Sequence, residues 1–181
     1  MGDERGPEHF FFMMRGLGEK KPKIAESAFV SEAAYVVGDV EIGEKSSIWP
    51  GAVLRADRFR IQIGFNSNIQ DNCVVHAGFS DVNIGDNVTI AHGSMIHCAR
   101  IGNNVLIGMH AVLNNQSEIE DFCMIGAHSM VKDHFKVPSG SLAVGIPAKI
   151  VRALNDRELE RIANGSRTYV ELAKEFKKYG L

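Results

Sequence analysis

Along most of this chain an aliphatic residue returns at every sixth position. The series runs Ile24, Val30, Val36, Ile42, Ile48 and Leu54, restarts at Ile63, Ile69 and Val75, and restarts again at Ile84, Ile90 and Ile96. After a five-residue step it continues at Ile101, Ile107, Leu113, Ile119, Ile125, Val131 and Val137. Four residues after the aliphatic one comes a mostly small residue, among them Ala28, Ala34, Ser46, Ala52, Ser67, Cys73, Ser94, Ala111, Ser117, Cys123 and Ser129. An amphipathic helix repeats at 3.6 residues and a half-buried strand at 2, so neither accounts for a sustained period of six. A coil of short strands does, each strand sending one aliphatic side chain inward and each turn stacking on the last. Arg58, Phe79 and Arg100 break the small-residue rule where the spacing changes, which places them in loops or irregular corners.

The pattern resembles the hexapeptide repeat of left-handed parallel β-helices, in which three hexapeptides complete one triangular turn. It implies an all-β solenoid, an exception to the right-handed crossover rule. The solenoid is expected over residues 22–148, after an N-terminal tail at residues 1–21 and before a C-terminal helical segment at residues 149–181. GIPAKIVR leaves the coil, and Asn155 to Lys178 is rich in Glu, Lys, Arg, Leu and Ala. That composition predicts helix, interrupted near Asn164-Gly165 with Ser166 as a new N-cap, and with Val170, Leu172, Ala173 and Phe176 as its apolar contacts.

Composition excludes several functions. A chain of 181 residues, 45% hydrophobic, suits one compact soluble domain. A formal charge of −2 gives no basic field for nucleic acid, and no Lys/Arg run suggests a membrane surface. The apolar run Phe10 to Met14 is too short to span a bilayer or to act as a signal core. Three cysteines, an odd number, point to reduced thiols in the cytoplasm rather than to a disulfide framework.

The stretch VVHAGFSDVNIGDNVTIAHGSMIH, Val74 to His97, carries the chemistry. His76 follows Val75 and His97 follows Ile96, so both hold the second hexapeptide position and stack on adjacent coils, about 4.8 Å apart. His92 lies one triangular face away, beyond reach of its own chain's His97. A threefold trimer would bring His92 of one copy to His76 and His97 of another, giving three imidazoles and an open position, the ligand count of a catalytic zinc site. His110 and His128 are also one coil apart but lack a third ligand, and like His134 and His9 they are expected as ordinary corner or surface residues. Cys73 and Cys123 fall at the small inward position and fill the core; Cys98, beside His97, is either a packed thiol or a ligand or redox group. Arg55 precedes His76 in its column, with Asp57 beside it, and Asp71 lies one coil before His92. These charges are either surface groups worth little individually or an intersubunit network built on the planar fork of Arg55.

With these residues in view the sequence looks like a γ-class carbonic anhydrase homologue. The likeness is carried by LRAD at Leu54 to Asp57, NIQDNCVVH at Asn68 to His76 and AHGSMIH at Ala91 to His97, and it extends through the C-terminal helix. It implies a homotrimer with interfacial metal sites, each taking His76 and His97 from one subunit and His92 from the next. By the same match Gln70 would orient the metal-bound water, Arg55 would pair with Asp57 and Asp71, and Asn68 would line the pocket. Tyr169, in SRTYVELAKEF, would reach the site from the helix or else pack beneath it. The implied reaction is reversible hydration of CO₂ to bicarbonate through a metal-bound hydroxide on Zn²⁺, with Fe²⁺ or Co²⁺ as substitutes. The chain departs from the prototype at Arg58, where a catalytic glutamate is expected, and at Ala77 to Asn83, which replaces a longer acidic loop, so a dedicated proton shuttle is not evident. Two rival classes share the repeat: a hexapeptide acyltransferase using one histidine as general base, and a noncatalytic metal-binding trimeric assembly subunit.

Overall fold

Three interleaved aliphatic columns supply the three inner faces of a parallel β-solenoid. The computed structural model describes residues 13–180. One face stacks Val36, Leu54, Val75, Ile96, Leu113 and Val131. The second stacks Ile42, Ile63, Ile84, Ile101, Ile119 and Val137. The third stacks Val30, Ile48, Ile69, Ile90, Ile107 and Ile125. Apart from the half-buried Val30 of the first coil, every one of these side chains is buried, each worth about 1.5–3 kcal/mol relative to exposure. The small residues of the repeat are buried too, and their hydroxyls bond backbone carbonyls: Ser46 Oγ donates to Gly64 O at 2.6 Å and Ser67 Oγ to Gly85 O at 2.8 Å. Burial pushes the Cys73 thiol up to about 11 and raises that of Cys123, which makes both inert core groups.

Corners turn on residues in the left-handed region, mostly Asn and His, types that tolerate it best among non-glycines. His110, His128 and His134 hold such corners at φ of 56°, 56° and 58°. The His110 and His128 rings stack 5.1 Å apart between centroids. Of the residues expected in irregular corners, Phe79 does lie in a bend, whereas Arg58 is inside the strand Val53–Ile63 and Arg100 opens the strand Arg100–Ile101. Strand Val53–Ile63 runs straight through a corner because its partner Tyr35–Ile42 turns with it, the register shifting between left-handed Gly38 and Val40. Part of the expected tail is docked: Met14–Arg15 pairs with Val36–Val37, and Lys20 Nζ donates to the carbonyls of Asp57 at 3.0 Å and Arg58 at 2.8 Å. His9 and Phe10 to Phe12 lie outside the described residues.

An antiparallel hairpin, Ser141–Gly145 with Ala148–Ala153, ends the coil and leads into the helix Asp156–Tyr179. Asn155 is its N-cap, in a reciprocal capping box with Glu158, and left-handed Gly180 ends it. The helix is continuous through Asn164-Gly165, contrary to the sequence expectation, and Ser166 is not a cap. Packing overrides the local signal. A Cβ at Gly165 would lie 3.3 Å from Thr89 Oγ1, so glycine lets the helix approach the coil closely. Ser166 is buried, its hydroxyl turned back to Ala163 O at 3.2 Å. Tyr169, Leu172, Ala173 and Phe176 seat the helix on Phe29 and Trp49. No described helix is long and apolar enough to cross a membrane.

Candidate metal centre

Parallel stacking puts Arg55 opposite His76 and His76 opposite His97 on successive coils. His76 Nδ1 and His97 Nε2 face each other at 3.2 Å. The opposite nitrogen of each ring meets an oxygen: His76 Nε2 lies 3.1 Å from Asp57 Oδ1, and His97 Nδ1 lies 2.8 Å from Asn115 Oδ1. Each oxygen is best matched by an N–H, which leaves a lone pair on each of the two nitrogens that face each other. Two lone pairs at that distance repel unless a shared cation or proton lies between them. Arg55 reaches the same point, Nη2 lying 3.2 Å from His76 Nδ1 while Nη1 pairs with Asp57. Burial raises the Asp57 carboxyl, but hydrogen bonds and charge from His76 and Arg55 outweigh it and hold the group below its ordinary value.

Asn115 escaped the reading of the sequence, as did Asp133 behind it, whose carboxylate lies 3.5 Å from Asn115 Nδ2. The signal was present, because His97, Asn115 and Asp133 follow one another at steps of 18 residues, one regular coil each.

The remaining candidates gather on another face. His92 Nδ1 lies 2.9 Å from Asp71 Oδ2, with both side chains well exposed. Behind them runs a buried chain of polar groups. Thr89 Oγ1 accepts from Asn68 Nδ2 at 3.0 Å, Asn68 Oδ1 from Gln70 Nε2 at 3.0 Å, and Gln70 Oε1 from the His92 backbone N–H at 3.2 Å. Asn68 is therefore sealed behind Gln70 rather than lining the pocket itself. The Tyr169 ring packs edge-on against Trp49, 5.2 Å between centroids, and borders a groove of about 390 Å³ with Gln70, His92, Met109, Met124 and Arg161. Burial, then the charges of Asp71 and Cys73, raise its hydroxyl above the ordinary value. Asp71 pairs with His92 here, and its expected pairing with Arg55 is not formed within one chain.

Among the described residues of one chain, no group of three or more His, Cys, Asp or Glu side chains is placed to hold a metal ion. The donor chemistry fits a divalent metal in halves. The His76 and His97 rings converge, each held by an oxygen acceptor on its far nitrogen, the usual support of metal-bound histidine. His92, its Nδ1 turned to Asp71, leaves Nε2 as a third donor on a separate face. Cys98 is no ligand in this arrangement: it is buried, its sulfur turned to the backbone N–H groups of Gly78 and Phe79.

Residues 98–133 match a family model described as Bacterial transferase hexapeptide (six repeats). A carbonic anhydrase of Geobacillus kaustophilus is 41% identical over 162 residues, covering 87% of this chain and 87% of that protein. Gamma carbonic anhydrase 2, mitochondrial, of Arabidopsis thaliana is 39% identical over 162 residues, covering 86% of this chain; the chain spans 58% of that relative's length. Among solved structures, a hexapeptide transferase family protein from Anaplasma phagocytophilum superposes with a TM-score of 0.86 at 35% identity, covering 89% of this chain and 96% of that one.

Proposed function

The chain belongs to the gamma carbonic anhydrase family of hexapeptide-repeat proteins, and from that premise we propose that it catalyses the metal-dependent, reversible hydration of CO₂ to bicarbonate. The observation that carries this reading is the meeting of His76 Nδ1 and His97 Nε2 at 3.2 Å, each with its other nitrogen held by an oxygen. His76 and His97 supply two ligands and His92 of a second copy the third, in a homotrimer with a site at each subunit boundary. Zinc suits three imidazoles with one position left open, and iron(II) or cobalt(II) accepts the same donors. When bound, such an ion supplies the Lewis-acid polarisation that makes water a nucleophile near neutral pH, for which carbonic anhydrases are the type case.

The chain's own side chains do the positioning. Asp57, Asn115 and Asp71 hold the three imidazoles. Arg55 and Asp57 of one copy, with Asp71 of the next, set the register of the boundary. Gln70 keeps one free N–H on Nε2 and one lone pair on Oε1; it orients the attacking water while Asn68 fixes its amide, and Tyr169 closes the pocket from the helix. Asp57 and Asp71 are both engaged by histidine, so the released proton passes to solvent buffer. Cys73, Cys98 and Cys123 are free thiols, which suits the reducing cytoplasm.

The test is complementation. His92→Ala and His76→Ala chains, each expressed alone, should lose most bound metal, whereas co-expression should restore part of it in mixed trimers with one complete site. Full metal occupancy in either single variant would sink the shared-site reading. A second reading, acyl transfer with a histidine as general base, draws on the likeness to the hexapeptide transferase family protein and on the largely apolar groove beside His92. Acyl-CoA binding by metal-free protein would select it. Metal uptake without CO₂ turnover would select a noncatalytic assembly subunit.

A further inference from the structure

The connection from strand Val74–His76 to strand Val82–Ile84 is short, yet it wraps both imidazoles of the column. Gly78 is buried against His76: a Cβ there would fall 2.7 Å from Cε1, 3.2 Å from Nδ1 and 3.3 Å from Nε2 of the ring. On its other side His76 meets the His97 ring, 5.1 Å between centroids. Phe79 stands edge-on to His97 at 5.9 Å and 78°, although 69% of the residue is exposed.

One side chain holds this loop in place. Cys98, 1% exposed and in the left-handed region at φ 53°, accepts the N–H of Gly78 at 3.3 Å and of Phe79 at 3.2 Å on its sulfur. Its backbone N–H donates to His76 O at 3.1 Å, and Ser80 Oγ donates to its carbonyl at 3.4 Å. A thiol is small enough for this buried corner and still accepts hydrogen bonds, where an alanine would leave two amides without a partner.

We propose that Ala77 to Ser80 is a template that sets the angle of the His76 and His97 rings for metal binding, with Gly78 and Phe79 as its contact surfaces and Cys98 as the clasp. Gly78, Phe79 and Cys98 are positioning residues, and their role rests on the metal reading above. The template replaces reach with rigidity. In a long loop many residues share the task of holding a ligand; here a Cβ added at the glycine would fall 2.7 Å from the ring, so any side chain there must move the imidazole. Gly78 has no left-handed φ, so alanine fits its backbone, and the displaced atoms belong to the movable end of His76. Gly78→Ala therefore keeps the fold and spoils the ligand geometry.

Cobalt(II), added to the metal-free full-length protein, is the probe, because its visible absorption reports coordination geometry as well as occupancy. Gly78→Ala and Cys98→Ala should each weaken cobalt binding on the order of 10-fold to 100-fold and alter the band, as loss of ligand support does elsewhere. Far-ultraviolet circular dichroism of Gly78→Ala should match the wild type. Cys98→Ser, which restores an acceptor for the two amides, should recover most of the affinity. Cobalt affinity and spectrum unchanged in Gly78→Ala, with normal uptake by the wild type, would overturn the template alone. No uptake by the wild type would overturn the metal reading and the template with it.

Discussion

His97 is held on its far side by Asn115, whose Oδ1 lies 2.8 Å from Nδ1, opposite the nitrogen that faces His76. Asn115→Ala frees the ring to rotate and to carry its proton on either nitrogen, and metal affinity should fall about 10-fold to 100-fold, measured by equilibrium dialysis. Gln70 differs, because both ends of its amide are already bonded in a site only 4% exposed. Gln70→Ala strands Asn68 Oδ1 and the His92 N–H, so it should cost about 1–3 kcal/mol in denaturant unfolding and slow turnover, while metal occupancy stays near the wild-type level. Arg58 is exposed, and under the proposed function the proton leaves through solvent buffer. Raising imidazole buffer at fixed pH and ionic strength should then raise kcat and leave kcat/KM nearly constant. A kcat indifferent to buffer would assign the proton an internal route. The stacking of His76 on His97 was legible in the sequence because both hold the same position of the six-residue repeat on adjacent coils. Asn115 was not, because asparagine also fills ordinary corners, as at Asn66, Asn72, Asn87 and Asn104.

Among the elements, the strands were the most legible, since an aliphatic residue at every sixth position matches the turn of a solenoid and neither the period of a helix nor that of a flat strand. The helix was legible in kind but not in continuity. Asn164-Gly165 carries a local breaker signal, and only the contact with Thr89 reveals that the glycine serves close approach instead. The start of the helix makes an acid-sensitive joint. Hydrogen bonds from Arg152, then from the Asn155 backbone N–H, hold the Glu158 carboxyl down to about 2 from an ordinary 4.5. A carboxyl depressed on folding stabilises above its ordinary value and loses that contribution as pH falls through the folded one. Between about pH 4.5 and 2, the wild type should therefore lose helix signal in far-ultraviolet circular dichroism. Glu158→Gln should start less stable at neutral pH and show a shallower acid limb. An identical acid limb in the two proteins would mean that other carboxyls set it.

At the scale of the molecule, a solenoid is nearly one-dimensional, each coil touching only its neighbours. The helix escapes that restriction. It leaves the last coil, meets Thr89 at Gly165, Trp49 at Tyr169 and Phe29 at Phe176, and ends with Lys177 Nζ on the carbonyls of Glu26 at 2.9 Å and Ala28 at 3.1 Å. From Gly165 to Phe176 the helix rises about 16 Å at 1.5 Å per residue, and the coils from Thr89 back to Phe29 span about 14 Å at 4.8 Å per coil. The two lengths agree, so the helix is a ruler laid along the solenoid. Repeat proteins commonly lengthen or shorten by whole units, but this one carries a gauge that rejects a changed count. A duplicate coil inserted between Ile48 and Thr89 would carry Phe29 about 5 Å beyond the reach of Phe176, and the fluorescence of the single tryptophan, Trp49, should report the lost aromatic contact. Adding about three helical residues between Gly165 and Tyr169 would restore the length and, at roughly 300° of turn, bring the apolar face back to within about 60° of its place, so coil number and helix length can change only together.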